Sequence, residues 1–223
     1  MNKLLEVVNL QKTYYSGEVQ THALRGVEFT FFDNRFYAIT GKSGSGKSTL
    51  LHLLAGMETP TEGEVLYRSH SLAIMKDAEL SKLKRQKFGF VFQSYNLLPE
   101  LSVLENIMLP ADLDRQRPDK TYINKILSVM GIQDKIRKYP SQLSGGEQQR
   151  TAIARALINK PEIIFADEPT GNLDQQNGQA VMELLVNLRK HFHQTIILVT
   201  HDKDIAAYAD EIVHIQDGQI VKR

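Results

Sequence analysis

The strongest chemical signal is Gly41-Lys42-Ser43-Gly44-Ser45-Gly46-Lys47-Ser48. It fits G-x-x-x-x-G-K-[ST] and lies between an apolar run ending in Ile39-Thr40 and a helical run beginning at Thr49. The glycines let successive backbone N–H groups turn inward without Cβ interference, and the following helix aims its positive end at the same point. The chemistry is that of holding a polyphosphate on fixed donors. Lys47 is expected on the β and γ phosphates, and the Ser48 hydroxyl on Mg²⁺. Such a loop leaves nucleotide and reaction open. Asn159-Lys160-Pro161-Glu162 lacks the aspartate in the fourth place that a guanine-reading loop supplies, which favours adenine.

Further residues point to hydrolysis. Ile163-Ile164-Phe165-Ala166 is an apolar strand that ends in Asp167 and Glu168, and strands of such sheets present their C-terminal ends to the ligand crevice. Asp167, still in strand geometry, is expected to hold the metal through water. Glu168, one residue on, is expected to act on a water in line with the γ phosphate. His201 follows another such run, Thr195 to Thr200, and Gln93 follows Phe88 to Phe92. The histidine is placed to contact the γ phosphate, and the Gln93 amide to serve both Mg²⁺ and the water. A second glycine motif, Leu143-Ser144-Gly145-Gly146-Glu147-Gln148, precedes a run with helical spacing, Thr151 to Leu157. Ser144 is a good N-cap, so this is a second anion-binding helix start in one chain.

The elements that position these groups alternate between strand-sized runs and helical stretches, the pattern of an α/β protein. Leu4 to Leu10, Val27 to Phe32, Phe36 to Thr40 and Glu64 to Tyr67 read as strands. Their short connections predict antiparallel pairing. Ile163 to Ala166, Thr195 to Thr200 and Glu211 to Ile215 are separated by helices and predict βαβ winding. Between Ser94 and Pro140, Leu101 to Leu109 and Thr121 to Met130 have helical spacing with no strand between them, which predicts an inserted helical subdomain. Gly17 and Gly26 read as ordinary turn glycines.

Composition sets the outer bounds. At roughly 150 residues per domain, 223 residues suit one α/β domain with a sizeable insertion. Lys plus Arg exceeds Asp plus Glu by one, which argues against a dedicated nucleic-acid binder. The absence of cysteine excludes disulfides, thiolate metal sites and Cys nucleophiles. Apolar runs are strand-sized, far below the ~18 residues of a membrane span, so any membrane role is expected to pass through a partner. No signal peptide is expected at Met1-Asn2-Lys3-Leu4-Leu5-Glu6.

From end to end the sequence resembles the ATP-binding subunits of ABC transporters. Gly41 to Ser48 is similar to the family's Walker A, Gln93 to its Q-loop glutamine and Leu143 to Gln148 to its signature. Ile163 to Glu168 is similar to the Walker B with its catalytic glutamate, Gly171-Asn172-Leu173-Asp174 to the D-loop, and His201 to the switch histidine. The resemblance implies a P-loop ATPase core, with a RecA-like parallel part and an antiparallel N-terminal sheet. Residues 1–223 would form one ATP-binding domain, with about 94–158 as the helical subdomain carrying the signature. It implies MgATP hydrolysis by a homodimer packed head to tail, in which Ser144, Gly145, Gly146 and Glu147 close over ATP held by the other copy, with Asp174 at the dimer contact. Tyr14, in Lys12-Thr13-Tyr14, looks like the aromatic that stacks on adenine, with Tyr15 its rival. A membrane permease is the implied partner, docked near Gln93 and the helical insertion, which puts the chain on the cytoplasmic face of the membrane.

Within the family, Gly89 to Gln93, Asn96-Leu97-Leu98-Pro99, Glu105-Asn106-Ile107 with Leu109-Pro110, and Glu168 to Asp174 resemble the branch that serves lipoprotein-releasing and macrolide or antimicrobial-peptide exporters. Tyr67-Arg68-Ser69-His70-Ser71 departs from that branch's glycine-containing turn. The competing classes are a soluble ABC-type ATPase acting on nucleic acid or ribosomes and a non-catalytic regulatory subunit. The single cassette without heptads disfavours the first, and the presence of Lys47, Glu168 and His201 disfavours the second.

Overall fold

The structure, a computed structural model, describes residues 2–192 and 194–221. In chain order its elements are β1 (Lys3–Ser16), β2 (Val19–Phe32), β3 (Phe36–Thr40), α1 (Lys47–Leu54), β4 (Glu62–Tyr67), β5 (His70–Ser71), α2 (Asp77–Lys87), β6 (Phe88–Phe92) and α3 (Val103–Leu113). There follow α4 (Lys120–Met130), α5 (Gly145–Leu157), β7 (Ile163–Asp167), α6 (Gln175–Phe192), β8 (Thr195–Val199), α7 (Lys203–Ala206), β9 (Glu211–Gln216) and β10 (Gln219–Val221). The chain divides into two compact units, Met1–Ser81 with Thr195–Arg223, and Lys82–Gln194.

In the first unit β2, β1, β4 and β5 form an antiparallel sheet in that order. Leu4, Leu5, Val7 and Leu10 of β1 and Leu24, Val27 and Phe31 of β2 are buried. Gly26 is not a turn residue, as its sequence context suggests. The pairing steps from Leu10↔Val27 to Gln11↔Arg25 across it, and its φ of +77° makes it a β-bulge within β2. The β4–β5 hairpin turns through Arg68 and Ser69 at φ of +46° and +65°, a pair of left-handed residues without glycine.

The expectation for β3 is also corrected: it does not join the antiparallel sheet. It pairs in parallel with β8 and β9, and β10 folds back antiparallel on β9. Phe36, Tyr37, Ala38 and Ile39 are fully buried, the continuous apolar run of a strand covered on both faces rather than the alternation of a half-exposed one. The short link after β2 turns at Asn34, φ +56°, and carries the chain into a different sheet. Tyr37 stays close to the strand it leaves, its ring edge-on to Phe31 at 4.9 Å and its hydroxyl accepting from the Phe32 N–H at 2.7 Å.

In the second unit β6 and β7 lie parallel, in register from Phe88↔Ile163 to Phe92↔Asp167. A Cβ on Gly89 would stand 2.6 Å from the Ala156 carbonyl oxygen, so glycine lets α5 lie close on β6. The helices have local stop and start signals. Ser102 and Glu105 form a capping box on α3, Asp119 caps α4, and Gly131 ends α4 at φ +64°. Asn106 is fully buried, and its amide bonds to Leu98 on both backbone groups and to the Leu101 and Ser102 carbonyls, which orders the 98–102 loop. The 94–158 stretch lies within this unit and holds α3, α4 and α5 with no strand among its residues. Among the described residues, no helix is long and apolar enough to cross a membrane.

Candidate functional site

The glycine loop of the first unit is built on parallel strand ends. β3 stops at Thr40, the loop follows, and α1 begins at Lys47 with Gly46 as its N-cap. The loop has no spare volume at two of its glycines. A Cβ on Gly46 would meet the Ala23 carbonyl oxygen of β2 and lie 2.9 Å from Leu24 Cδ2. One on Gly41 would meet the Ile215 carbonyl oxygen of β9 and lie 2.6 Å from Ser45 Oγ. The turn after β9 closes the loop's floor, with the Gly218 N–H donating to the Ser45 carbonyl at 3.1 Å. Lys47 is 6% exposed and folds back so that its ammonium donates to the Lys42 carbonyl at 2.9 Å. The buried Ser45 hydroxyl has no hydrogen-bond partner among the described residues. Backbone N–H groups, a helix start, a sequestered ammonium and an orphan hydroxyl in one loop fit a polyphosphate.

His201 belongs to the same edge. β8 pairs with β3 in parallel, Ile39 opposite Val199, and the Thr200 N–H donates to the Ile39 carbonyl at 3.1 Å. His201 therefore leaves its strand beside the strand that feeds the loop, and it is exposed. Tyr14 approaches from β1, and its hydroxyl donates to Glu58, in the loop after α1, at 2.6 Å. The loop, His201 and Tyr14 are thus gathered in this unit, while Tyr15 is 66% exposed on the strand.

In the second unit Asp167 is the last residue of β7, as its sequence position predicts, and the chain then turns sharply, with Glu168 at φ +43°. A glutamate in the left-handed region is strained, and such strain collects at functional positions. Because Phe92 pairs with Asp167, Gln93 and Glu168 leave adjacent strand ends together. Asn172 and Gln93 are bound reciprocally. The Gln93 amide donates to Asn172 Oδ1 at 3.2 Å, and the Asn172 amide donates to the Gln93 carbonyl at 3.0 Å. A Cβ on Gly171 would lie 2.6 Å from Gln93 Nε2, so the segment after Glu168 fits around that side chain.

Ser144 caps α5 in a reciprocal box with Glu147. The Ser144 N–H on the Glu147 carboxylate, at 2.8 Å, holds that carboxyl below the usual range. Gly145 and Gly146 make the helix start narrow. A Cβ on Gly146 would lie 2.9 Å from Asn177 Oδ1, and one on Gly145 3.0 Å from the Tyr95 hydroxyl. Asp174 accepts from the Asn177 N–H at 2.8 Å and from its side-chain amide at 2.7 Å, bonds that keep its carboxyl low and cap the start of α6.

Two residues that sequence reasoning passed over tie α5 to these loops. The fully buried Gln149 donates to the Pro169 carbonyl at 2.6 Å. Arg155 donates to the Tyr95 and Asn96 carbonyls at 2.8 and 2.5 Å, and its guanidinium is so desolvated that its pKa is lowered. Their only signal in sequence is polarity on the helix face that the apolar residues mark as buried.

Comparison with known proteins accords with this geometry. Residues 24–171 match the ABC transporter family. An uncharacterised ABC transporter ATP-binding protein of Methanocaldococcus jannaschii is 45% identical over 223 residues, covering 98% of each chain. The dimeric structure of a post-hydrolysis state of the ATP-binding cassette MJ0796, bound to ADP and Pi, superposes with a TM-score of 0.88 at 39% identity, over 98% of this chain and 97% of that one. The cbiO1 structure from Clostridium perfringens, part of the ABC transporter complex cbiONQ, gives a TM-score of 0.86 at 30% identity, over 100% of this chain and 88% of that one. The family match spans more than half of the sequence, so this chain belongs to the ABC transporter family as an ATP-hydrolysing, ATP-binding domain.

Proposed function

We propose that this chain is the ATPase subunit of a transporter, that two copies close head to tail around ATP, and that the closing motion drives a separate membrane permease from the cytoplasmic face. One observation carries the reading: a single chain has two glycine-rich helix starts, α1 behind Gly41 to Gly46 and α5 behind Ser144. One nucleotide needs only one phosphate loop, so the second suits the nucleotide of another copy. The dimeric state of the MJ0796 cassette and the place of cbiO1 in a transporter complex support it.

In this reading Lys47 moves from the Lys42 carbonyl to the β and γ phosphates, and Tyr14 stacks on adenine. Gln93 and Glu168 orient and deprotonate the attacking water, and His201 contacts the γ phosphate. The protein donors assigned to the metal are Ser48, Gln93 and, through water, Asp167. A hydroxyl, an amide and a carboxylate offer oxygen alone, and so few of them suit Mg²⁺, which keeps several waters and is held largely by nucleotide phosphates. Bound there, the ion neutralises the charge that builds on the phosphates. Asp174, besides capping α6, lies in the D-loop and is assigned to the contact between copies. The cargo is assigned to the lipoprotein, peptide or drug class exported by the branch that Asn96 to Pro99 and Glu105 to Ile107 resemble.

The test is a mixed dimer. Lys47→Ala and Ser144→Arg each silence a homodimer, whereas a dimer with one copy of each keeps one intact composite site and recovers up to about half the hydrolysis expected of two equivalent sites. No recovery in the mixed dimer sinks the head-to-tail arrangement. Co-purification with a membrane protein tests the transporter assignment separately.

A further inference from the structure

Beneath Tyr14 lies a charged cluster that none of the nucleotide-binding motifs includes. Glu58, in the loop that follows α1, receives the Tyr14 hydroxyl at 2.6 Å, the Lys12 ammonium at 3.4 Å and His52 Nδ1 at 3.3 Å. Lys12 also donates to the Thr59 carbonyl at 2.8 Å, and its ammonium stands over the Tyr14 ring, 5.1 Å from the centroid. Thr13 adds a bond from its N–H to Thr61 Oγ1 at 3.0 Å. The end of β1 is therefore sewn onto the loop after α1, residue by residue.

Charge and burial agree with a built arrangement. Burial pushes the Glu58 carboxyl up, and the bonds from Tyr14, His52 and Lys12 outweigh it and hold the group below its ordinary value. Burial and the Glu58 carboxylate push the Tyr14 hydroxyl up, so it remains a donor. A phenol held at its tip by Glu58, with Lys12 against its ring, has lost much of its freedom to swing. Lys12 stands over the ring, yet Tyr14 is still 40% exposed, which leaves ring surface on which a base can stack. Tyr15, next along the strand, alternates to the opposite face.

We propose that Glu58, with Lys12 beside it, is a positioning residue for the nucleotide base, holding the Tyr14 ring at a fixed angle next to the phosphate loop. This rests on the reading that Tyr14 stacks on adenine. The role is confined to the base and leaves the triphosphate untouched, which sets it apart from a general contribution to folding.

The experiment measures ATP binding to the full chain by equilibrium dialysis without magnesium, so that hydrolysis does not intervene, and inorganic tripolyphosphate binding by competition. Tyr14→Ala removes the platform and should raise the ATP Kd by about 5- to 150-fold, the scale of one base on one aromatic ring. Tyr14→Phe and Glu58→Ala keep the ring and free it, and each should raise the ATP Kd by about 2- to 12-fold, the scale of ordering one side chain on binding. Combined, they should do no more than either alone, and Glu58→Gln, which retains an acceptor, should fall between Glu58→Ala and the native chain. Tripolyphosphate binding should be unchanged throughout. If Tyr14→Ala leaves the ATP Kd unaltered, the stacking reading itself fails. If Tyr14→Ala weakens ATP while Tyr14→Phe and Glu58→Ala do not, the ring needs no positioning and Glu58 has no such role. Equal weakening of tripolyphosphate and ATP in Glu58→Ala overturns it as well, since the residue would then act on the phosphate loop.

Discussion

Gly46→Ala tests whether the phosphate loop is shaped by its floor. Gly46 has φ +102° and ψ +7°, and a Cβ there would meet the Ala23 carbonyl oxygen and crowd Leu24 Cδ2 at 2.9 Å. Gly44, two residues earlier, also has a positive φ, +75°, with nothing within 4 Å of an added Cβ. The two substitutions share the left-handed penalty of about 1–2 kcal/mol, partly offset by about 0.4–1 kcal/mol from the stiffer unfolded chain. Only Gly46→Ala adds the displacement of a β2 carbonyl, about 1–3 kcal/mol by comparison with overpacked cores. The expected losses are therefore about 1–4.6 kcal/mol for Gly46→Ala and at most about 1.6 kcal/mol for Gly44→Ala, with the first always the larger by about 1–3 kcal/mol. For a chain of this size they correspond to drops in Tm of roughly 2–18 °C and under about 6 °C. Differential scanning calorimetry of the two variants without nucleotide reads the difference directly. Equal melting temperatures would show that β2 yields freely at Ala23, and the account of a loop held by its floor would be wrong.

Three further outcomes follow from the same geometry. Glu168→Gln is expected to lower ATP turnover by about 10²–10⁴-fold, the usual contribution of a general base, while ATP still binds and an ATP-loaded dimer accumulates; turnover at the native rate would remove Glu168 from that role. Gly171→Ala meets only the flexible end of Gln93, at 2.6 Å, and its backbone is not left-handed. It should change stability by less than about 0.5 kcal/mol yet displace the Gln93 amide from Asn172 and alter the Mg²⁺ dependence of hydrolysis. A melting loss as large as that of Gly46→Ala would contradict this. Burial pushes the Tyr122 hydroxyl from 10.0 up to about 12. Its contribution is complete below about pH 10, where the unfolded group is still protonated, and is lost as pH rises through about 12. Tyr122→Phe should flatten that stretch of a stability profile from urea midpoints, and an unchanged alkaline slope would argue against it.

What is legible in the sequence is local. Gly41 to Ser48 announces itself because Gly41, Gly46, Lys47 and Ser48 each answer a backbone or phosphate requirement within eight positions, and Ser144 with Glu147 announces a helix start for the same reason. Asp167 and Glu168 are readable because two acids closing an apolar strand, in a chain that also holds a phosphate loop, fit a metal and a water better than an ordinary solvated turn. Non-local matters are not readable. The proximity of β2 and β3 in sequence suggests pairing, yet one left-handed residue, Asn34, sends β3 to β8 and β9. Gly26 looks like a turn glycine because its bulge exists only relative to Leu10 and Gln11 on the opposite strand.

The same distinction separates the site residues that sequence reasoning finds from those it misses. Ala23, Ile215 and Gly218 shape the loop through backbone atoms, and a backbone atom leaves no mark on residue type. Glu58, Gln149 and Arg155 have telling side chains, but each reaches another segment, and a lone polar residue reads as surface until its partner is known. The groups assigned to chemistry are therefore declared by motif, whereas those that aim them are declared only by the fold. Ser45 sits at the boundary: its place in the motif is an unspecified x, yet it is buried, its carbonyl is held by Gly218, and its buried hydroxyl has no hydrogen-bond partner among the described residues. A position that the motif leaves free is, in this chain, constrained by the floor beneath it.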